Sequence, residues 1–209
     1  LDNKHTSPMI RIGITGGIGS GKSTFCAHLE EQGAVVFDAD SEANAVMVGD
    51  ASTRKAIIDL MGPFAYQVDG LLDREFVSRR IFSDPIARRR IGEIVHPRVQ
   101  ERFLQAAKEA TRAGAEAIVR EAALLPPAHM RDSLDVLLVV EAPREDRVHR
   151  VVERNHLPRE AVMDRIDAQP ADEVYRSAAD EVIVNDGSLD DLRNEALRFW
   201  GQIIVRQSA

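Results

Sequence analysis

The sequence contains a single cysteine, Cys26, so no internal disulfide can form. It has no apolar run long enough to cross a bilayer as a helix, no visible secretory signal, no internal repeat and no low-complexity segment. Positive charge is also short: 27 Lys and Arg stand against 34 Asp and Glu, a formal net charge of −7. These shortages exclude a disulfide scaffold and a helical membrane span. They argue against general nucleic-acid or anionic-membrane binding, while leaving room for a local basic site for a phosphorylated small molecule. The expected location is the reducing cytoplasm. No feature of the sequence sets an oligomeric state. What remains is 209 residues, 44% hydrophobic and 29% charged. That is enough chain to bury a continuous core without disulfides or metals, and it is expected to form one domain over residues 9–209. The polar stretch LDNKHTSP, residues 1–8, is expected to lie outside the fold as an extension.

Periodicity predicts an alternating pattern. MIRIGIT is short, apolar and Ile-rich, as a buried strand would be. KSTFCAHLEEQG is amphipathic, with Phe25, Cys26 and Leu29 near one face and Gly33 as a helix stop; Cys26 is expected to be a buried free thiol. Further apolar strands are predicted in AVVFDAD, from Ala117, around Val136 to Val140, and from Glu181 to Val184. Runs that are apolar throughout suit parallel strands covered on both faces. The predicted fold is α/β, a doubly wound five-stranded parallel sheet. Two helical regions interrupt it. Residues 51–112 form an arginine-rich insertion with a turn at YQVDGLLDRE, and residues 144–179 form short charged helices broken at Pro158 and Pro170. Both leave the sheet after the carboxyl end of a strand, where ligands bind in open α/β sheets, so both read as caps over a site.

GGIGSGKS fits G-x-x-x-x-G-K-[ST], with Gly16, Gly21, Lys22 and Ser23, between a predicted strand and a predicted helix. Glycines let the backbone turn sharply and aim its N–H groups at phosphate oxygens. The following helix offers its positive end. Lys22 is suited to neutralise a transferring phosphate, and the Ser23 hydroxyl to complete a Mg²⁺ site. The loop implies a bound nucleotide but does not say what accepts the phosphate.

Downstream, Asp38 and Asp40 of DAD end the second predicted strand. One could collect a proton from an attacking hydroxyl and the other could place the acceptor or the metal shell. Equally, Asp40 could cap a helix starting near Ser41. Glu121 could serve a metal, cap a helix or pair with an arginine. His96 before Pro97 could act on substrate or only pack a helix, and the run Arg88 to Arg90 reads as mostly solvated.

Taken together, ITGGIGSGKST, GAVVFDAD, DGLLDREFVSRRIFSD, IGEIVHPRV, RNHLPREAVMDRIDAQ and AADEVIVNDGSLDDL resemble the dephospho-CoA kinase family from about Met9 to Leu192. The resemblance implies a P-loop kinase that uses ATP and Mg²⁺ to phosphorylate the ribose 3′-hydroxyl of dephospho-CoA, the last step of CoA biosynthesis. On this resemblance Gly17, Ile18, Gly19, Ser20, Gly21, Lys22, Ser23 and Thr24 hold the nucleotide phosphates, and Ser23 also serves the metal. Asp40 is the general base and Asp38 places the 3′-hydroxyl or the metal shell. Arg74 and His96 bind substrate from the 51–112 insertion. Arg154 is the lid arginine, with Arg150 and Arg147 one and two turns before it, and Asn185 lies near the adenine. One departure is local: many members read PLL.E after the third strand, and this chain reads EAALLPPAHM, with Ala123 and Pro127 at the proline and glutamate positions.

Two other classes are set against this reading. Nucleoside monophosphate and shikimate kinases share the loop, sheet and lid but not the HP and AQ…AD…N set. A nucleotide switch needs a guanine-specific N-K-x-D element or a partner-facing switch, and the chain has neither.

Overall fold

The apolar runs do form strands. In the structure, a computed structural model that describes residues 9–123 and 131–207, these are β1 (Ile10–Thr15), β2 (Val35–Asp38), β3 (Ala117–Glu121), β4 (Val136–Glu141) and β5 (Glu181–Val184). All neighbours pair in parallel in the order β2-β3-β1-β4-β5. The 1–8 leader lies outside the described residues, as does Pro127 of the EAALLPPAHM departure.

The expectation of strands buried throughout holds at the centre and not at the rims. β4 is buried at every position, whereas β2 buries only Phe37 and β5 only Ile183. These two are edge strands, flanked on one side only. Arg120 is a second exception, a charged residue 6% exposed within β3, where burial pulls its guanidinium below the usual arginine range.

Helices cover the sheet. α1 (Lys22–Glu31) packs Phe25, Cys26 and Leu29 against it. The last described helix, α9 (Leu189–Gln207), brings Leu192, Ala196, Phe199 and Ile203 to the same cluster at helical spacing. The Phe25 and Phe199 rings meet tilted, centroids 5.9 Å apart. Burying each such side chain stabilises the fold by roughly 1.5–3 kcal/mol. Cys26 is a buried free thiol, as expected, and burial, followed by the charge of Glu121, raises its pKa.

The chain divides into two compact units. One holds the sheet, with residues up to Asp38 and from Ala106 onward; the other is Ala39–Gln105. The second unit contains α2 (Ala39–Gly49), α3 (Ala51–Met61), a 3₁₀ turn at Pro63–Ala65, α4 (Arg74–Ser83) and most of α5 (Pro85–Arg112). Asp50 and Asp73 cap α3 and α4 by accepting the N–H groups of Thr53 and Phe76. The predicted turn is there, closed by a bridge between Tyr66 and Leu72. Arg54 stacks over the Tyr66 ring at 4.2 Å and donates to the Gly70 carbonyl. Arg88 to Arg90 are exposed.

In the sheet unit, residues 144–179 form α6 (Arg144–Asn155), α7 (Arg159–Asp167) and α8 (Asp172–Ala178). Pro158 and Pro170 fall in the links, where a residue without an N–H costs no helical bond. Val148, Val151, Val162 and Ile166 make a small separate core between α6 and α7. β2 and β3 lie on one side of β1 and β4 and β5 on the other, and the change of side creates a crevice at the carboxyl edge beside β1.

Candidate functional site

The phosphate loop fills the turn between β1 and α1 at that edge. Lys22, 9% exposed, folds back so that Nζ donates to the Gly17 carbonyl at 3.2 Å. The Ser20 N–H donates to the same carbonyl. The Ser20 carbonyl accepts from Asn185 Nδ2 at 2.8 Å, and the Gly19 carbonyl lies 3.5 Å from an Arg150 nitrogen. A trans peptide sets its N–H opposite its C=O, so fixing these carbonyls also fixes where the loop amides point. Two glycines sit where an added side chain would have to displace a neighbour. A Cβ on Gly21, at φ +101°, would lie 2.3 Å from Asn185 Nδ2, and one on Gly17 would lie 2.2 Å from the Arg147 guanidinium.

Carboxylates gather beside the first turn of α1. Ser23 Oγ donates to Glu121 Oε1 at 2.6 Å. Asp38 is level with Glu121 in the β2–β3 register. Both carboxylates act on the Cys26 thiol. The set is all oxygen: one hydroxyl and two strand-end carboxylates. Mg²⁺ favours such donors and takes only one or two carboxylates, completing its shell with phosphate oxygens and waters. Among the described residues no group of three or more His, Cys, Asp and Glu could hold a metal ion on its own. The residues therefore fit Mg²⁺ bound together with a nucleotide better than a metal bound by protein alone.

Three of the four arginines of α6, Arg147, Arg150 and Arg154, are placed differently. Arg147 is 4% exposed, with Nε on the Ile18 carbonyl at 3.0 Å and a second nitrogen on Asp172 at 2.9 Å. Arg150 reaches both the Gly19 carbonyl and, at 3.2 Å, the Asn185 carbonyl. Arg154, the lid arginine implied by resemblance, is exposed and its Nε donates to neighbouring Asn155. Asn185, expected near the adenine, is 7% exposed and has its side chain on the loop. A cleft of about 400 Å³ opens next to it, lined by Asp186, Gly187 and Asp191 among others.

In the second unit, α2 starts at Ala39, two residues before the expected Ser41, so Asp40 is the second residue of the helix rather than its flanking cap. Its side chain is exposed and Asn44 Nδ2 donates to its carbonyl. Arg74 is exposed in the first turn of α4. Asp73 and Asp69 accept backbone N–H groups from Phe76 and Leu71, and neither pairs with Arg74 among the described residues. His96 is exposed within α5, which continues through Pro97.

Residues that pattern alone did not assign are Gln169 and Glu141. Gln169 Oε1 accepts the Ile18 N–H. Glu141, 9% exposed at the end of β4, pairs with Arg176 of α8. Only the AQ doublet gave a signal for the first. Nothing in VVEAP marked the second, because a glutamate at a strand end is ordinary.

Comparison with known proteins bears on the same chemistry. A family model described as dephospho-CoA kinase matches residues 10–191. A dephospho-CoA kinase from Salinibacter ruber is 40% identical over 192 residues, covering 92% of this chain and 96% of the relative. A solved structure from Thermus thermophilus superposes with a TM-score of 0.76 at 36% identity, over 93% of this chain and 97% of the other. A Campylobacter jejuni dephospho-CoA kinase shares the fold, with a TM-score of 0.67 at 23% identity over 92% and 96%.

Proposed function

The chain belongs to the dephospho-CoA kinase family, and from that premise we propose how its residues divide the reaction. The γ-phosphoryl group of ATP passes to the ribose 3′-hydroxyl of dephospho-CoA, giving CoA and ADP in the last step of CoA biosynthesis. A new O–P bond forms as the bond to ADP breaks and its electron pair leaves with ADP. The hydroxyl proton goes to a carboxylate.

The amides of Gly17 to Thr24 hold the donor phosphates, and Lys22 offsets charge on the group in transfer. Ser23, with Glu121 and Asp38 beside it, would hold Mg²⁺. When bound there, the ion neutralises charge on the β- and γ-phosphates. Asp40 collects the proton and Asp38 helps orient the acceptor. Arg150, with Arg154 one turn beyond it, stabilises charge as it spreads over the phosphoryl oxygens and helps keep water out. Asn185 belongs to the wall near the adenine, and Arg74 and His96 contact dephospho-CoA. No helix among the described residues is long and apolar enough to cross a membrane, and we place the enzyme in the cytoplasm, where ATP is supplied.

The observation that carries this assignment is the Ser23–Glu121 hydrogen bond beside a buried Lys22. It brings the motif hydroxyl, the motif lysine and strand-end carboxylates to one end of one helix. The experiment is a coupled assay of ADP release with dephospho-CoA, nucleoside monophosphates and shikimate offered separately. ADP release stimulated by dephospho-CoA alone is the expected result. No release above the no-acceptor background with dephospho-CoA overturns it.

A further inference from the structure

Ile18 sits in the middle of the phosphate loop, and three independent contacts tie it to residues 144–179. Its N–H donates to Gln169 Oε1 at 2.8 Å, in the link between α7 and α8. Its carbonyl accepts from Arg147 Nε at 3.0 Å, on α6. Its side chain packs against the small core of Val148, Val151, Val162 and Ile166. The two polar partners also hold each other: an Arg147 nitrogen lies 3.4 Å from Gln169 Oε1, and another donates to Asp172. Arg147 is thus a buried arginine whose donors are taken up by a loop carbonyl, an amide and a carboxylate. Gly17 is a glycine where that guanidinium lies over the backbone.

We infer that Gln169, acting with Arg147, is a positioning residue for nucleotide binding. The pair fixes the peptide planes on both sides of Ile18 and so sets the aim of the loop amides before any phosphate arrives. This rests on reading the loop as the ATP phosphate site. Without an acceptor for the Ile18 N–H, the peptide between Gly17 and Ile18 loses one of its holds and keeps those of Lys22 Nζ and the Ser20 N–H on the Gly17 carbonyl, and the binding-competent loop becomes one conformer among several. Apparent nucleotide affinity falls by the fraction of loops left competent. The base of the lid segment is accordingly part of the donor site, not a flap hinged freely over it.

Two substitutions in the full chain test this. Gln169→Met keeps side-chain length and removes the acceptor. Gln169→Glu keeps an acceptor oxygen and gives Arg147 a charged partner. ATP and ADP dissociation constants are measured by calorimetry without the second substrate, alongside kcat, the KM for dephospho-CoA and the melting temperature. The expected result is that Gln169→Met weakens both nucleotides by about tenfold or more, the cost of an unmet hydrogen bond. The KM for dephospho-CoA stays within about twofold, the scatter of a distant site. Gln169→Glu restores nucleotide affinity to within about threefold of the wild type. Unchanged nucleotide affinity in Gln169→Met overturns the inference. So does a parallel loss for both substrates with a lowered melting temperature in both variants, which marks a merely structural residue. Failure of the wild-type chain to bind ATP overturns instead the reading of the loop on which the inference rests.

Discussion

The side-chain amide of Asn185 donates to the Ser20 carbonyl at 2.8 Å, joining the end of β5 to the phosphate loop. The same residue donates its backbone N–H to Glu141 and accepts from Arg150 through its carbonyl. An amide so engaged braces the loop, whatever base lies beside it. We therefore expect Asn185→Leu to raise the KM for ATP and for GTP by a similar factor, about tenfold, as for a buried carbonyl left without its donor. Steady-state kinetics with both nucleotides checks this. A changed ATP-to-GTP preference at unchanged ATP KM would assign Asn185 to base recognition instead.

That residue also shows where sequence reading stops. All five strands, the motif loop and the breaks at Pro158 and Pro170 were legible, because each rests on local rules: apolar runs, glycine spacing and the missing proline N–H. Phe25, Cys26 and Leu29 could be assigned to the core for the same reason. What Asn185, Arg147 and Gln169 bond to was not legible. Asn185 is 165 residues from its acceptor and Gln169 is 151 from its donor. No periodicity encodes a partner at that separation. The segment AQ could be matched to a family and still give no reason for its glutamine. Arg147 is one of several arginines on a charged helix, and nothing in the local pattern encodes its burial.

The Ser23–Glu121 contact leads to a metal-dependence prediction. Glu121→Gln removes a charge but keeps the shape, so the fold should survive while the oxygen set weakens as a Mg²⁺ site. The Mg²⁺ concentration for half-maximal turnover is expected to rise by about tenfold, the usual scale for losing one charge-assisted ligand or its support. Ser23→Ala should raise it too. The double variant should fall short of the product of the two effects, because contacting residues are not additive. A Mg²⁺ titration of all four proteins is the check, and full additivity would separate the two residues.

Asp40 is exposed at the second position of α2, with Asn44 on its carbonyl rather than on its carboxylate. Asn has nearly the same shape as Asp and leaves that backbone contact in place. Asp40→Asn should lower kcat by about 10²–10⁴, the range for general-base loss, with little change in ATP affinity or melting temperature. Near-normal turnover removes Asp40 as the base.

Acid should loosen the start of α3 through Asp50. The Ser52 hydroxyl, and after it the Thr53 N–H, hold this carboxyl well below the usual carboxylate range. A depressed folded pKa means the cap's stabilisation is complete above the unfolded value, about 3.9. It is lost as pH falls through the folded value. The melting-temperature gap between wild type and Asp50→Ala should be constant from pH 8 to about 5 and shrink steadily below about 4. A gap that does not change with pH would mean the cap does not depend on the charge.

Arg150 and Arg154 compete for the charge-stabilising role, and their placement favours the first. Arg150 is partly buried, one nitrogen at the Gly19 carbonyl and another on the Asn185 carbonyl, so its guanidinium is already oriented at the edge of the loop. Arg154 is exposed on the last turn of α6, and its Nε is turned to Asn155. A flexible arginine must lose side-chain entropy to act, up to about 2 kcal/mol, whereas one held by two carbonyls has lost most of it on folding. A preorganised donor is also the kind that stabilises a transition state more than a ground state. Arg150→Ala is therefore expected to lower kcat by about 10²–10³. Arg154→Ala should lower it by less than about tenfold, as for an exposed charge acting through solvent. Single-turnover kinetics, which separate transfer from product release, make the comparison. A loss in Arg154→Ala equal to or greater than that in Arg150→Ala returns the role to Arg154 and requires α6 to rearrange during turnover.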